Sequence, residues 1–135
     1  MKGQVRVRAA ILARMLEEAR RHRSEECCGL LAGTNGVVTD ILPARNQLAS
    51  ATAYEIAPEE LFRLFKQIRA TRLEHLGIYH SHPTGENSPS PRDVERAFYP
   101  DVAYFIASPD EGAKAAVRAF QIRDGVMTEL EIIPL

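Results

Sequence analysis

Two histidines and one aspartate are spaced in this sequence so that a single divalent metal ion can bind all three. One residue separates His80 from His82, and Asp93 follows in the segment Ser90-Pro91-Arg92-Asp93. Side chains alternate between the two faces of a strand, so the two imidazoles point the same way, about 6–7 Å apart along the strand. Two neutral nitrogens and one anionic oxygen leave the fourth position of Zn²⁺ open to water, which is typical of a catalytic zinc site. The spacing therefore predicts a hydrolytic metal site.

A separate general base is expected beside such an ion. An anionic ligand lowers the net positive charge of the site, so the ion acidifies its water less than an all-histidine site would. Glu26 is the candidate for this base, since it directly precedes the apolar segment that begins at Cys27. We therefore predict that Glu26 lies at the mouth of a second buried strand, near the histidines.

The elements that must position these residues are readable from their neighbours. The apolar run from Leu76 to Tyr79 predicts a buried strand leading into the histidines, and the segment from Pro83 to Asn87 predicts a loop. Ser90 is a predicted helix N-cap with Pro91 at the first helical position. Each piece also has a purely structural interpretation, because isolated His-x-His pairs are often packing residues and Ser-x-x-Asp is an ordinary capping box.

Taken together, the pattern resembles the JAMM motif of the MPN-plus metalloproteases. Glu26 is followed by His80-x-His82, then by seven residues, Ser90, two residues and Asp93. The resemblance implies a single MPN-type domain with a cytidine-deaminase-like mixed β-sheet flanked by helices. It also implies that His80, His82 and Asp93 bind one Zn²⁺ per chain, that Glu26 is the general base, and that Ser90 stabilises the oxyanion.

The resemblance extends over nearly the whole chain. The segment from Glu26 to Gly33 is similar to the first core strand of that family, and the segment from Tyr54 to Leu61 is similar to the lead into its second helix. The family cleaves peptide or isopeptide bonds at the C-terminal tail of ubiquitin or ubiquitin-like carriers. This chain looks closest to small prokaryotic members that release cysteine from a sulfur-carrier protein, so a ubiquitin-like or sulfur-carrier protein is the expected substrate.

Three other interpretations remain open at this point. The segment from His80 to Gly85 is also similar to the corresponding segment of RadC-like proteins, which usually carry an added helical DNA-binding part. A metal-free MPN scaffold that only binds partners is a second alternative, although such scaffolds usually lack the ligands. A nucleophilic pair of Cys27 or Cys28 with a histidine is a third, but cysteine serves most often as a small buried hydrophobe.

Composition limits the classes of function further. The 135 residues carry a net charge of −1 with lysine and arginine dispersed, so neither nucleic acid nor an anionic membrane is an expected partner. We expect one domain over residues 1–135. The absence of a long apolar run, and the polar start Met1-Lys2-Gly3-Gln4, favour a cytoplasmic protein. The adjacent cysteines Cys27 and Cys28 point to opposite faces of a strand and are poorly placed for a disulfide.

The apolar periodicity predicts an α/β or α+β fold with a mixed sheet flanked by two longer helices. One helix is expected from Ala9 to His22 with Leu12, Met15, Leu16 and Ala19 facing the core, one opens near Pro58, and a short one runs from Ser90 to Phe98. Strands are predicted at 4–7, 27–32, 36–42, 102–107, 115–122 and 126–133, with turns at Asn35-Gly36 and Asp124-Gly125. Five phenylalanines are interpreted as core residues: Phe62, Phe65, Phe98, Phe105 and Phe120. His75 has the opposite strand parity to His80 and His22 ends a helix, so neither is a predicted ligand.

Overall fold

The structure, a computed structural model, describes residues 3–113 and 115–135. Met1 and Lys2, where the predicted N-terminal pattern begins, lie outside the described residues. Within them the strands are β1 (Gln4–Val7), β2 (Cys28–Thr34), β3 (Val37–Ala44), β4 (Glu74–Ser81), β5 (Ala103–Ala107), β6 (Val117–Arg123) and β7 (Val126–Pro134). The helices are α1 (Ala9–Arg21), α2 (Pro58–Ala70) and α3 (Pro91–Glu95). Every predicted element is present, with bounds that shift by a few residues.

The strands form one mixed sheet in the order β1-β3-β2-β4-β5-β6-β7. Parallel pairing of β1 with β7 closes this sheet on itself, and β4 also pairs in parallel with β5. β1 and β3 also pair in parallel, and the remaining neighbouring strands pair antiparallel. Tight turns at Asn35-Gly36 and Asp124-Gly125, whose residues have positive φ, connect β2 to β3 and β6 to β7. The prediction of a mixed sheet flanked by helices is confirmed. Its closure was not part of the prediction, because local sequence carries no signal for pairing between strands at the two ends of the chain.

The two faces of the sheet bury separate hydrophobic clusters. One cluster packs under α1 and includes Met15, Leu31, Tyr79 and Phe105. The other packs under α2 and includes Leu30, Leu64, Ile68, Ile78, Ile106 and Phe120. We call these the α1 face and the α2 face. Since Ile78 lies on the α2 face and side chains alternate, His80 lies there as well.

The three helices differ in how many of their residues are buried. α1 buries Ile11, Met15 and Ala19. α2 has Pro58 at its first position and buries Leu64 and Ile68. α3 has no fully buried residue and ends at Glu95, earlier than the predicted end at Phe98. A helix without an apolar stripe gains little from extension, which explains the early end.

Two of the five phenylalanines are not core residues, and that part of the prediction is wrong. Phe62 is 66% exposed and Phe98 is 67% exposed. Phe62 lies outside the stripe of Leu61, Leu64 and Ile68 on α2, so its ring points away from the sheet. Phe98 follows the end of α3, where helical periodicity no longer applies, and its ring lies beside the guanidinium of Arg96.

A β-bulge overturns the parity argument for His75. Leu31 pairs with Gly77 but the next residue of β2 pairs with His75, so Leu76 is an extra residue in β4. As a result Leu76 packs on the α1 face, while His75 contacts Phe65 and shares the α2 face with His80. His75 is nevertheless not part of the group of possible metal ligands described below, so its exclusion as a ligand does not depend on parity.

No helix among residues 3–113 and 115–135 is long and apolar enough to cross a membrane. The cytoplasmic location stays a prediction.

Candidate metal centre

The end of β4 brings the two histidines and the aspartate to one point. The Nε2 atoms of His80 and His82 lie 3.1 Å apart. The Oδ2 atom of Asp93 lies 3.2 Å from Nε2 of His80 and 3.1 Å from Nε2 of His82. The three predicted ligands therefore converge through one atom each.

This triangle has the dimensions of a metal site. Tetrahedral Zn²⁺ with bonds of 2.0–2.2 Å holds its ligand atoms about 3.3 Å apart. Nδ1 of His82 lies 2.8 Å from the carbonyl oxygen of Glu86, which can only accept, so Nδ1 carries a proton and Nε2 has the lone pair whenever the ring is neutral. Burial lowers the pKa of His82, but the hydrogen bond to Asp93 outweighs it and raises the pKa, so Nε2 can also be protonated and donate to that carboxylate. A lone pair, a second imidazole nitrogen and a carboxylate oxygen at such short distances favour a shared cation. The donor set thus fits a divalent metal ion.

The local structure of α3 orients Asp93. The Ser90 N–H donates to Oδ2 of Asp93 at 2.9 Å, and the Asp93 N–H donates to Oγ of Ser90 at 3.1 Å. These two bonds form the predicted capping box, with Pro91 at the first helical position. Burial alone would raise the pKa of Asp93, but the hydrogen bonds from His80 and His82 hold it well below its ordinary value. The carboxylate is therefore ionised, as a metal ligand must be.

Glu26 lies two residues before the start of β2 and faces the same point. Ligand atoms of Glu26, His80, His82 and Asp93 all lie within 4.8 Å of one another. The Glu26 side chain is 3% exposed, and its Oε1 has no hydrogen-bond partner among the described residues. Burial, with the nearby charge of Asp93, raises the pKa of Glu26 to about 7. A carboxylate with a pKa near neutrality can exchange a proton in either direction at physiological pH.

The two imidazoles are held differently on their outer nitrogens. His82 is fixed by its hydrogen bond to the carbonyl of Glu86, the kind of support that metal-binding histidines usually have. Nδ1 of His80 has no hydrogen-bond partner within the described part of the chain, although the residue is 1% exposed. Burial lowers the pKa of His80, which keeps the ring neutral and able to bind a metal ion.

A cavity of about 350 Å³ opens beside this cluster. It reaches Asp93 and Arg92 and continues between α2 and the segment that follows β3. Its apolar walls come mainly from Leu30, Tyr54, Ile56, Leu61, Ile78, Phe98 and Tyr104. A substrate segment next to the ligands would have an apolar surface to lie against.

Neither Cys27 nor Cys28 forms a nucleophilic pair with a histidine among the described residues. Both thiols are buried and free, and neither hydrogen-bonds a histidine among the described residues. Burial raises the pKa of Cys27 to about 12, and it raises that of Cys28 as well. Because the thiolate is the nucleophile, such thiols are inert near neutral pH.

Sequence reasoning did not assign a role at the site to Tyr54 or Asn46. The ring of Tyr54 stacks on His80, with centroids 4.5 Å apart and planes inclined by 24°. The side-chain amide of Asn46 donates to the carbonyl of Glu26 at 3.0 Å. The family resemblance includes the segment from Tyr54 to Leu61, but the spacing of Tyr54 and Asn46 does not indicate metal chemistry.

The fold is that of a JAMM/MPN-type domain. It matches a JAB1/MPN domain protein from Archaeoglobus fulgidus with a TM-score of 0.62 and 19% sequence identity, over 96% of this chain and 97% of that one. At this identity the likeness concerns the fold alone. The sequence profile of the prokaryotic homologs of the JAB domain matches residues 8–123. The chain belongs to this family, and the resemblance drawn from the motif is confirmed.

Curated relatives are similar over most of their length. A desampylase of Haloferax volcanii is 39% identical over 106 residues, which are 76% of each chain. A CysO-cysteine peptidase of Mycobacterium tuberculosis is 32% identical over 125 residues, which are 91% of this chain and 86% of that one. The predicted class of enzyme, a hydrolase, is confirmed by these relatives.

Proposed function

We propose that the protein is a zinc-dependent peptidase that cleaves the amide bond following the C-terminal tail of a ubiquitin-like or sulfur-carrier protein. The observation that carries this proposal is the convergence of His80, His82 and Asp93 at 3.1–3.2 Å, with Glu26 in the same group and its Oε1 without a hydrogen-bond partner among the described residues. In this proposal the three residues hold one Zn²⁺ per chain. A bound Zn²⁺ would supply Lewis acidity, polarising the scissile carbonyl and acidifying a water molecule.

Glu26 is the proposed proton carrier of the reaction. Its Oε1 has no hydrogen-bond partner in the described residues, so that oxygen is free to accept a proton from the attacking water. The same carboxyl group then delivers the proton to the leaving amine. Burial raises the pKa of this group above that of an ordinary glutamate, which favours uptake of the proton from water.

Ser90 is the proposed donor to the oxyanion. In the capping box Oγ of Ser90 accepts a hydrogen bond from the Asp93 N–H, and this uses a lone pair of the hydroxyl group. The hydroxyl hydrogen is not used by the cap and can donate to the charge that develops on the carbonyl oxygen. The structural and catalytic roles of Ser90 are therefore compatible.

The nature of the substrate rests on the relatives and on the loop after β3. The two curated relatives are named as a desampylase and a CysO-cysteine peptidase. The connection between β3 and α2, residues 45–57, contains no helix or strand that could form a dedicated clamp around a partner. A glycine-rich tail can approach the metal centre closely because it has no side chains. Recognition should then depend on the folded body of the carrier as well as on its tail.

The test is a comparison of three substrates with purified protein. One is a ubiquitin-fold carrier with a C-terminal cysteine, the second is the same carrier joined through its tail to a lysine side chain, and the third is the free tail peptide. Mass spectrometry should show release after the terminal glycine of at least one carrier substrate and poor cleavage of the free peptide. Efficient cleavage of unrelated short peptides beside an intact carrier would instead indicate a general peptidase.

Metal content is measured on the same preparation. Elemental analysis of protein purified without chelator is expected to show one zinc per chain, and activity should disappear with chelator and return with Zn²⁺. A chain that binds partners but neither metal nor any of the three substrates would be a scaffold of the same family.

A further inference from the structure

The inner nitrogens of His80 and His82 face the same point, but only His82 has a polar support on its outer side. Its Nδ1 donates to the carbonyl of Glu86 at 2.8 Å. Nδ1 of His80 has no acceptor among the described residues. A histidine that binds a metal ion through Nε2 is usually oriented by a hydrogen bond from Nδ1. The orientation of His80 must therefore come from packing.

Tyr54 supplies that packing. Its ring lies nearly parallel to the imidazole of His80, with 4.5 Å between the centroids and 24° between the planes. Tyr54 also lines the cavity beside the site, and His80 is not among its lining residues. The stacked tyrosine ring thus covers one face of the imidazole and restrains its plane.

Tyr54 belongs to no helix or strand, and Asn46 holds it in place. The side chain of Asn46 is 3% exposed and joins both neighbours of Tyr54. Its Nδ2 donates to the carbonyl of Ala53 at 2.9 Å, and its Oδ1 accepts from the Glu55 N–H at 3.2 Å. The same Nδ2 donates to the carbonyl of Glu26 at 3.0 Å. Asn46 therefore ties the segment that carries Tyr54 to the backbone of the proposed general base.

We propose that Tyr54 is a positioning residue for His80, held there by Asn46, and that together they replace the missing hydrogen bond on Nδ1 of His80. The inference rests on the proposed role of His80 as a metal ligand. It does not require any particular substrate. Its consequence is a dependence of metal affinity on the aromatic ring of Tyr54, although the ring itself offers no ligand atom.

The experiment measures Zn²⁺ affinity by competition with a chromophoric chelator. Tyr54→Phe keeps the ring and should bind Zn²⁺ within about twofold of the unmodified chain. Tyr54→Leu removes the ring and should bind about 3- to 10-fold more weakly, since an aromatic contact contributes less than a hydrogen-bonded support, whose loss costs roughly 10–100-fold. Equal affinity of the Leu variant and the unmodified chain would overturn the proposal.

Phe65→Leu is the matched control. Phe65 contacts the imidazole of His75 edge-on with centroids 5.0 Å apart, on the same face of the sheet but outside the group of possible ligands. This variant should lower the thermal stability and leave Zn²⁺ affinity unchanged. If Phe65→Leu weakens Zn²⁺ binding as much as Tyr54→Leu does, the effect is a general loosening of the fold and the proposal fails.

The role of Asn46 is tested by a double-mutant cycle. Asn46→Asp keeps an acceptor for the Glu55 N–H but loses the donors to Ala53 and Glu26. It should weaken Zn²⁺ binding in the unmodified chain and have a smaller effect in the Tyr54→Leu background, because the two residues then act through one contact. Full additivity would show that Asn46 acts elsewhere; if Asn46→Asp does not fold, the Tyr54 variants decide the proposal. An unmodified chain that binds no Zn²⁺ would refute the proposed function before any variant is compared.

Discussion

The two faces of β4 bury polar groups in opposite ways. On the α1 face, the Tyr79 hydroxyl donates to Oε2 of Glu18 at 2.8 Å, and Oγ of Ser81 accepts from the Cys27 N–H at 2.9 Å. On the α2 face, Nδ1 of His80 and Oε1 of Glu26 are buried without a partner. They are the two buried side-chain atoms without a partner that the structure shows in residues 3–113 and 115–135.

This difference separates a structural polar cluster from a functional one. A buried polar group without a hydrogen-bond partner lowers the stability of the fold by about 1–3 kcal/mol. A face that has only a structural role is therefore expected to pair its buried donors and acceptors. The α1 face follows that rule. The α2 face leaves Oε1 of Glu26 unsatisfied in the group of converging ligand atoms, where a metal ion and its water would complete the site, and it leaves Nδ1 of His80 unsatisfied on the outer side of the ring.

The largest effect is expected from removal of a ligand on the α2 face. His82→Ala should abolish stoichiometric Zn²⁺ binding and activity together, because only two protein ligands remain. Tyr79→Phe removes a buried hydroxyl from the opposite face of the same strand and should leave zinc content unchanged. Elemental analysis of both variants makes the comparison, and unchanged metal stoichiometry in His82→Ala would show that the ligand set is wrong.

Glu26→Gln should retain zinc and lose about 10²–10⁴-fold in turnover, since the amide keeps the size of the side chain but cannot carry the proton. Glu25→Gln is the matched control, because the neighbouring carboxylate is not part of the ligand group. Steady-state kinetics on the carrier substrate are the measurement. An inactive Glu25→Gln with an active Glu26→Gln would assign the base to the other residue.

Ser90→Ala should lower kcat by about 10²-fold through loss of the oxyanion donor. It should also lower the free energy of unfolding by about 1 kcal/mol through loss of the cap. Ser90→Asp keeps an acceptor for the Asp93 N–H but has no hydrogen to donate, so stability should recover while kcat stays low. Chemical denaturation and kinetics on the two variants separate the roles; near-normal kcat in both would leave only the cap.

The smallest effect is expected on the α1 face, from Glu18→Gln. Burial raises the pKa of Glu18 in the folded state in spite of the hydrogen bond from Tyr79. A raised pKa means that ionisation weakens the fold, so this contribution to stability is present below the unfolded pKa and is lost as the pH rises through the folded one. The glutamine variant should therefore be at least as stable as the unmodified chain at pH 7, and the difference should shrink as the pH falls through the raised pKa of Glu18 and be absent below about pH 4.5. A larger loss of stability in the variant at pH 7 than at pH 4 would contradict this sign.

The proximity of the proposed ligands was predictable because it depends on local spacing. A one-residue gap places His80 and His82 on one face of a strand, and the capping box that orients Asp93 is complete within Ser90 to Asp93. Glu26 required more than spacing, since only the antiparallel pairing of β2 with β4 brings it close to the histidines. The resemblance to a known motif supplied that long-range information.

What the sequence did not reveal depends on contacts between distant segments. Asn46 and Tyr54 act through a loop whose path is fixed only when β3 and α2 are in place. The bulge at Leu76 changes which face His75 occupies, and nothing in the local alternation marks it. Phe98 is different, because its hydrophobicity alone suggested burial while its position after a short helix left it exposed.

The position of Oδ2 of Asp93 bears on the exchange of a metal ion at this site. Oδ2 of Asp93 accepts the Ser90 N–H and also faces both histidine nitrogens, so a backbone group at the start of α3 helps to orient this proposed ligand. Zinc-finger domains unfold when their metal is removed, because the ion itself organises the chain. Here the chain's own capping box and strand pairing contribute to the positions of Asp93 and His80, so we expect metal exchange to be a local, reversible event.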